Sequence, residues 1–176
     1  MTHPAVFCVT GKKKSGKTTT TVGLVRELVS RGFVVATAKH GHHFELDREG
    51  KDSYRHRYEG GAVATVLSGP EGYAVVGTWP TGEETLDVLV SRYLSHADIV
   101  IAEGHKSSGY PRFEVYRRAA HREALYGSAD AGDGEYLAVV TDVLDLVAEV
   151  PVIDANDPQR FGIMADIVET RLEKAE

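Results

Sequence analysis

Eight short apolar runs punctuate the chain, at Ala5 to Thr10, Phe33 to Ala38, Ala64 to Ser68, Tyr73 to Trp79, Ile99 to Ala102, Phe113 to Tyr116, Tyr136 to Thr141 and Val150 to Asp154. Each has the length of a strand. Several are nearly continuous in Val, Ile and Ala, the pattern of strands covered on both faces. Between them, apolar positions recur at helical spacing. Thr19 to Arg31 sets Val22, Val25, Leu28 and Val29 on one stripe and stops at Gly32. Glu83 to Ser95 carries Leu86, Leu89, Val90 and Leu94 behind two acidic residues. Pro158 to Glu173 opens after Asp157 with proline at its first position and presents Ile163, Ile167, Val168 and Leu172. Strands alternating with helices predict a three-layer α/β domain with a mostly parallel sheet. Ala64 to Trp79, broken at Gly69-Pro70-Glu71-Gly72, predicts a hairpin at one edge, and the small polar stretch Ser128 to Gly134 predicts a mobile loop.

Gly11 to Thr18 reads G-K-K-K-S-G-K-T, a complete G-x-x-x-x-G-K-[ST] phosphate loop between the first apolar run and the first helical pattern. Such a loop curls its backbone around an anion. The N–H groups of Lys13, Lys14, Ser15, Gly16, Lys17, Thr18 and Thr19 are expected to turn inward, with the positive end of the new helix behind them. Lys17 is placed to reach the β- and γ-phosphates, and the Thr18 hydroxyl to complete a Mg²⁺ shell. The octet in this context predicts a phosphate-loop NTPase fold, with residues 1–176 forming one nucleotide-binding domain.

Composition narrows the partner. The net charge of −6 gives the whole molecule no field that attracts nucleic acid or an anionic membrane. The positive charge is local, in Lys12, Lys13, Lys14 and Lys17 and then in Lys39, Lys51, Arg55 and Arg57. A basic pocket on an acidic body suits a small polyanion. The single Cys8 excludes an internal disulfide and is expected as a buried, inert thiol. No apolar stretch approaches the ~18 residues of a membrane span, and the N-terminus lacks a signal peptide's layout, so the cytoplasm is expected.

Two further constellations follow strand ends, where loops of an open α/β sheet converge on a ligand. Lys39-His40-Gly-His42-His43 is followed by Asp47 and by Gly50-Lys51-Asp52-Ser53-x-Arg55. Neighbouring histidines point apart, so a polar loop that binds anions or contacts a partner fits better than structural zinc. Asp47 or Asp52 as a Mg²⁺ contact stands beside a solvated carboxylate as an equal reading. Ala97 to Ala102 ends in Glu103-Gly104-His105-Lys106, where a phosphate-loop protein keeps its second acid; Glu103 is the candidate. His105 carries no assigned role, and Lys106 and Arg112 are either a second anion site or solvated. For the base, no N-K-x-D tetrapeptide occurs. Asp154 and Asn156 are candidate guanine readers, against helix capping by Asp157 and a turn at Asn156.

Together these residues resemble the molybdopterin-guanine dinucleotide biosynthesis adaptor proteins, the MobB family. The similarity spans nearly the whole chain: G-K-K-K-S-G-K-T-T, K-H-G-H-H, D-R-E-G-K-D-S-Y-R from Asp47 to Arg55, G-G-A at Gly60 to Ala62, A-E-G-H-K at Ala102 to Lys106, and D-A-N-D at Asp154 to Asp157. The K-H-x-H-H and G-K-D-S-x-R pair sets this family apart from other phosphate-loop proteins. One departure is His105, where the family usually has an aromatic residue. The resemblance implies GTP binding, a homodimer, slow GTP hydrolysis and service to a MobA-like guanylyltransferase that joins GMP to molybdopterin, with the pterin a further possible ligand. By likeness to dethiobiotin synthetase, the metal set is Thr18, Asp47 and Glu103. Lys12 matches the signature lysine of partition-type ATPases, beside a general electrostatic role. The rival functions are an ATP-dependent small-molecule kinase or ligase and a partition-type ATPase switch.

Overall fold

The computed structural model describes residues 3–41 and 48–174. The chain divides into two compact units, one within Met1–His40 and Thr85–Glu176, the other within Gly41–Glu84.

The larger unit is built on six strands: β1 (Ala5–Thr10), β2 (Val35–Lys39), β5 (Ile99–Glu103), β6 (Arg112–Tyr116), β7 (Tyr136–Thr141) and β8 (Val152–Asp154). They lie in the order β2-β5-β1-β6-β7-β8, and every pairing is parallel. Alternation along β1 sends Phe7 and Val9 to one face and Val6 and Cys8 to the other. On the first face they meet Leu24 and Leu28 of α1 (Lys17–Ser30) and Met164 and Val168 of α4 (Arg160–Glu173). On the second they meet Leu86 and Val90. This is the expected three-layer arrangement, and Cys8 is the buried thiol expected, with burial raising its pKa. Arg31, at the end of α1, holds the α1–α4 pair by donating to Glu27, Asp166 and Glu169 and to the Gly162 carbonyl.

Element ends differ from the periodicity where local chemistry intervenes. The stripe at Glu83 to Ser95 begins its helix only at α3 (Leu86–Leu89), because Thr85 caps it by accepting from the Val88 N–H at 3.5 Å. It then widens to a π-helical turn over Val90–Leu94.

β6 carries two charges inside the sheet. Glu114 is fully buried and accepts from the Leu125 and Tyr126 N–H groups at 2.6 and 2.7 Å. Arg112, expected at a second anion site or in solvent, is instead fully buried, because backbone carbonyls take up its guanidinium: it donates to those of Lys106 at 2.6 Å and Ala131 at 3.2 Å and to that of Ser108, with its guanidinium 5.7 Å from the centre of the Tyr136 ring. The polar stretch Ser128 to Gly134 is therefore fastened to the sheet through this guanidinium, with the Tyr136 hydroxyl adding a bond to the Ala131 carbonyl.

The smaller unit contains α2 (Asp52–Tyr58), which lacks an apolar stripe and was not expected from the pattern, and the hairpin β3 (Ala64–Gly69) and β4 (Gly72–Gly77). The α2 surface is held by an Arg55–Glu59 ion pair and by stacking of Tyr54 on Tyr58 at 4.3 Å. The hairpin forms where expected, but as a two-stranded sheet of its own rather than bonded to an edge of the main sheet.

Candidate functional site

The loop between β1 and α1 folds as its glycines dictate. Gly11 takes φ +141°, and a Cβ there would overlap the Val115 carbonyl, so β6 walls the loop closely and excludes any side chain. Lys14 takes the left-handed conformation at φ 63°, an uncommon one for a residue with a Cβ, which turns the backbone back toward α1. Gly16 caps α1 with no side chain reaching back to it, and the first intrahelical bond runs from the Thr20 N–H to the Gly16 carbonyl. The N–H groups of Lys17, Thr18 and Thr19 thus face outward from the helix start as donors, at its positive end.

Side chains complete the cradle. The Lys17 ammonium donates to the Lys12 carbonyl at 2.8 Å. Burial pulls its pKa down, the Glu103 charge opposes that fall and the Lys39 charge adds to it. Ser15 Oγ is buried with no hydrogen-bond partner among the described residues. The segment after β6 braces the loop from outside: Lys12 Nζ donates to the Glu123 carbonyl at 2.9 Å, and His121 Nε2 donates to the Lys13 carbonyl at 2.6 Å. The side chains of Lys13, Lys14 and Thr19 are exposed.

Glu103 ends β5, flanked by β1 and β2, and is 8% exposed. Its Oε1 accepts from the Thr18 hydroxyl and from the Lys39 ammonium, each at 3.0 Å. Lys39 is the register partner of Glu103 on the adjacent strand, so this ion pair is a product of parallel pairing. Sequence reasoning counted Lys39 only as local positive charge; the β2–β5 register was the missing signal. After Glu103 the chain leaves the strand through two left-handed residues, Gly104 at φ 89° and His105 at φ 48°. The His105 ring stands 5.5 Å from that of His40. Of the expected metal set, Thr18 and Glu103 are brought together; Asp47, like His42 and His43, lies outside the described residues. Among the described residues no cluster of three His, Cys, Asp or Glu side chains forms a metal cage.

This donor set fits a triphosphate with Mg²⁺. Backbone N–H groups, an ammonium and a helix start complement phosphate oxygens, and a carboxylate beside a hydroxyl is the hard-oxygen pair that Mg²⁺ takes along with them.

The candidate base readers sit at the end of β8. Asp154 Oδ1 accepts from the Asn156 N–H at 2.8 Å, and Asn156 Oδ1 accepts from Arg117 at 3.0 Å. Asp157 Oδ1 accepts from the Gln159 N–H at 2.7 Å, closing a turn through Pro158 rather than capping the helix as expected, so α4 starts at Arg160, two residues later than the proline predicted, with Gln159 as its cap.

A family model described as "Molybdopterin guanine dinucleotide synthesis protein B" matches residues 6–142. The chain is 32% identical over 166 residues to the molybdopterin-guanine dinucleotide biosynthesis adapter protein of Haemophilus influenzae, covering 93% of this chain and 87% of that one. It is 34% identical over 160 residues to the Escherichia coli protein of the same name, covering 88% and 86%. A crystal structure of molybdopterin-guanine biosynthesis protein B superposes with a TM-score of 0.69 at 26% identity, covering 96% of this chain and 99% of that one. The Bacillus subtilis MobB structure, at 21% identity and a TM-score of 0.70 over 93% and 97% of the two chains, shares the fold. The chain belongs to the MobB family.

Proposed function

We propose that this adaptor of molybdopterin-guanine dinucleotide biosynthesis binds GTP with Mg²⁺ and, as a cytoplasmic homodimer, serves the guanylyltransferase that attaches GMP to molybdopterin. The observation that carries the reading is the convergence of Thr18 and Lys39 on Glu103 beside the desolvated Lys17. Bound Mg²⁺ would supply charge neutralisation to the phosphates. The residues to hold it are Thr18 and Glu103, with Asp47 a further candidate. Residues Gly11 to Thr19 hold the phosphates, the Lys17 ammonium exchanging the Lys12 carbonyl for phosphate oxygen. That exchange is favoured because a partly buried ammonium gains more from an anion than from a neutral carbonyl. Lys39, already on Glu103, keeps the carboxylate aimed at Thr18. Asp154 and Asn156, at the end of β8, are the candidates for contacting the base.

Calorimetry with GTP and ATP, each with Mg²⁺, tests the binding. Lys17→Ala is expected to lose about 2 kcal/mol or more, roughly thirtyfold in affinity. Adding the wild type to the guanylyltransferase and its pterin substrate is expected to raise dinucleotide formation, and Lys17→Ala to remove that gain. Absence of any gain, together with rapid phosphoryl transfer from ATP to a small metabolite, would overturn the adaptor reading.

A further inference from the structure

The carboxyl ends of three neighbouring strands each deliver one polar side chain to a common cluster. β6 runs out at Tyr116 into Arg117, β7 at Thr141 into Asp142, and β8 at Asp154 into the turn that carries Asn156. Arg117 Nη1 donates to Asn156 Oδ1 at 3.0 Å and lies 3.9 Å from Asp142 Oδ2, while Nη2 donates to the Ala155 carbonyl at 3.1 Å. Asp142 Oδ1 accepts from the Arg118 N–H at 3.0 Å. Backbone groups therefore orient both the guanidinium and the carboxylate. The three side chains are nonetheless accessible: Arg117 and Asp142 are about a third and a quarter exposed, and Asn156 is exposed.

Position in the sheet says what this cluster faces. The phosphate loop rises from β1, and β7 lies two strands away, with β6 between them. At about 4.8 Å per strand, the end of β7 stands ~10 Å to the side of the phosphate loop. A ribose spans that kind of gap between phosphates and base. The ends of β6 and β8 flank the same spot.

We infer that Arg117, Asp142 and Asn156 form the base-recognition site, with Asp142 the residue that specifies guanine; this rests on the triphosphate reading of Gly11 to Thr18. An ionised carboxylate complements the N1–H and N2–H donors of guanine and meets a lone pair at N1 of adenine. The guanidinium occupies the Asn156 carbonyl oxygen, which leaves the amide N–H groups to donate to guanine O6. The Arg117 plane, fixed by two bonds, offers a face on which a purine can stack. Asp154, one strand farther out, commits an oxygen to the turn that presents Asn156.

The test is calorimetry on the full chain with Mg²⁺ and GTP, XTP or ATP. Xanthine carries a carbonyl where guanine carries the N2 amine, so Asp142→Asn is expected to lose at least about tenfold for GTP and to gain for XTP, inverting their order. Asn156→Asp, at an exposed position, sets a carboxylate against O6 and is expected to weaken GTP while improving ATP, whose N6 amine donates. Lys17→Ala is expected to weaken all three alike. An Asp142→Asn protein with the wild-type GTP-to-XTP ratio would overturn the assignment, as would an inversion in Asp154→Asn that Asp142→Asn lacks. A wild type that binds no triphosphate would instead overturn the phosphate-site reading beneath it. Unchanged base preference in Arg117→Ala and in both other variants, with lowered melting temperatures, would mark the cluster as a latch between strand ends.

Discussion

The Thr18 hydroxyl donates to Glu103 Oε1 at 3.0 Å, joining the first turn of α1 to the end of β5 across 85 positions of sequence. A helix start is thereby registered against a strand end. Glu103→Gln keeps the shape and an oxygen for Thr18 but removes the charge that also holds Lys39. It is expected to weaken GTP binding in Mg²⁺ by about tenfold more than binding in EDTA, the scale of one charged hydrogen bond. Calorimetry in the two buffers decides; equal losses would place Glu103 away from the metal.

The buried carboxyl of Glu114 sits above the usual carboxylate range. Burial is the larger cause, outweighing the Leu125 and Tyr126 N–H bonds and the Lys12 charge, which favour the ionised form. The native state therefore keeps this proton to higher pH than the unfolded chain does, whose group titrates near 4.5. The native state binds more protons across that window, so this group's contribution to stability falls as pH rises through it. Glu114→Gln is expected to remove the fall. Because an amide offers one acceptor where two N–H groups need two, it also lowers stability by about 1–3 kcal/mol. Denaturant titrations from about pH 4 to about pH 8 would show the two curves approaching at the alkaline end; parallel curves would mean Glu114 titrates alike in both states.

The hairpin offers a surface for the proposed homodimer. Val66, Val75 and Tyr73 share one face of β3–β4 by register, with exposures of 65%, 42% and 71%. A two-stranded sheet is marginal by itself, and an apolar face of this kind is stabilised when covered. Light scattering is expected to give the mass of two chains for the wild type and of one for Val75→Asp. A wild type of single-chain mass would overturn the dimer, and a dimeric Val75→Asp would put its contact elsewhere.

What could be read from sequence was what is local. The phosphate loop is contiguous, and its chemistry resides in backbone turns that the glycines at 11 and 16 announce. Glu103 was legible because an apolar run ends on it. Lys39 was not legible as its partner, since the β2–β5 register joins residues 64 positions apart. Arg112, expected at a second anion site or in solvent, is neither, and the burial of Glu114 was not legible, for a similar reason. They sit in a strand whose apolar neighbours mark it as buried, and the groups that satisfy them arrive from distant loops. Helix α2 lacks an apolar stripe altogether, so periodicity passes over it. The hairpin's turn chemistry was plain, but turn chemistry says nothing about which sheet a strand joins.

The stretch from Ser128 to Gly134 looks by composition like spare surface, the place one would cut, lengthen or graft upon. Its fastening to Arg112 reverses that judgement. The carbonyl of Ala131 is part of the socket of an interior cation, and a Cβ at Gly132 or Gly134 would collide with the guanidinium. A peptide inserted there would pull one wall off a fully buried charge, which is strongly destabilising when its partners are lost. Protein engineers seeking a tolerant site should therefore leave this plain-looking loop alone, because its small residues are packing residues.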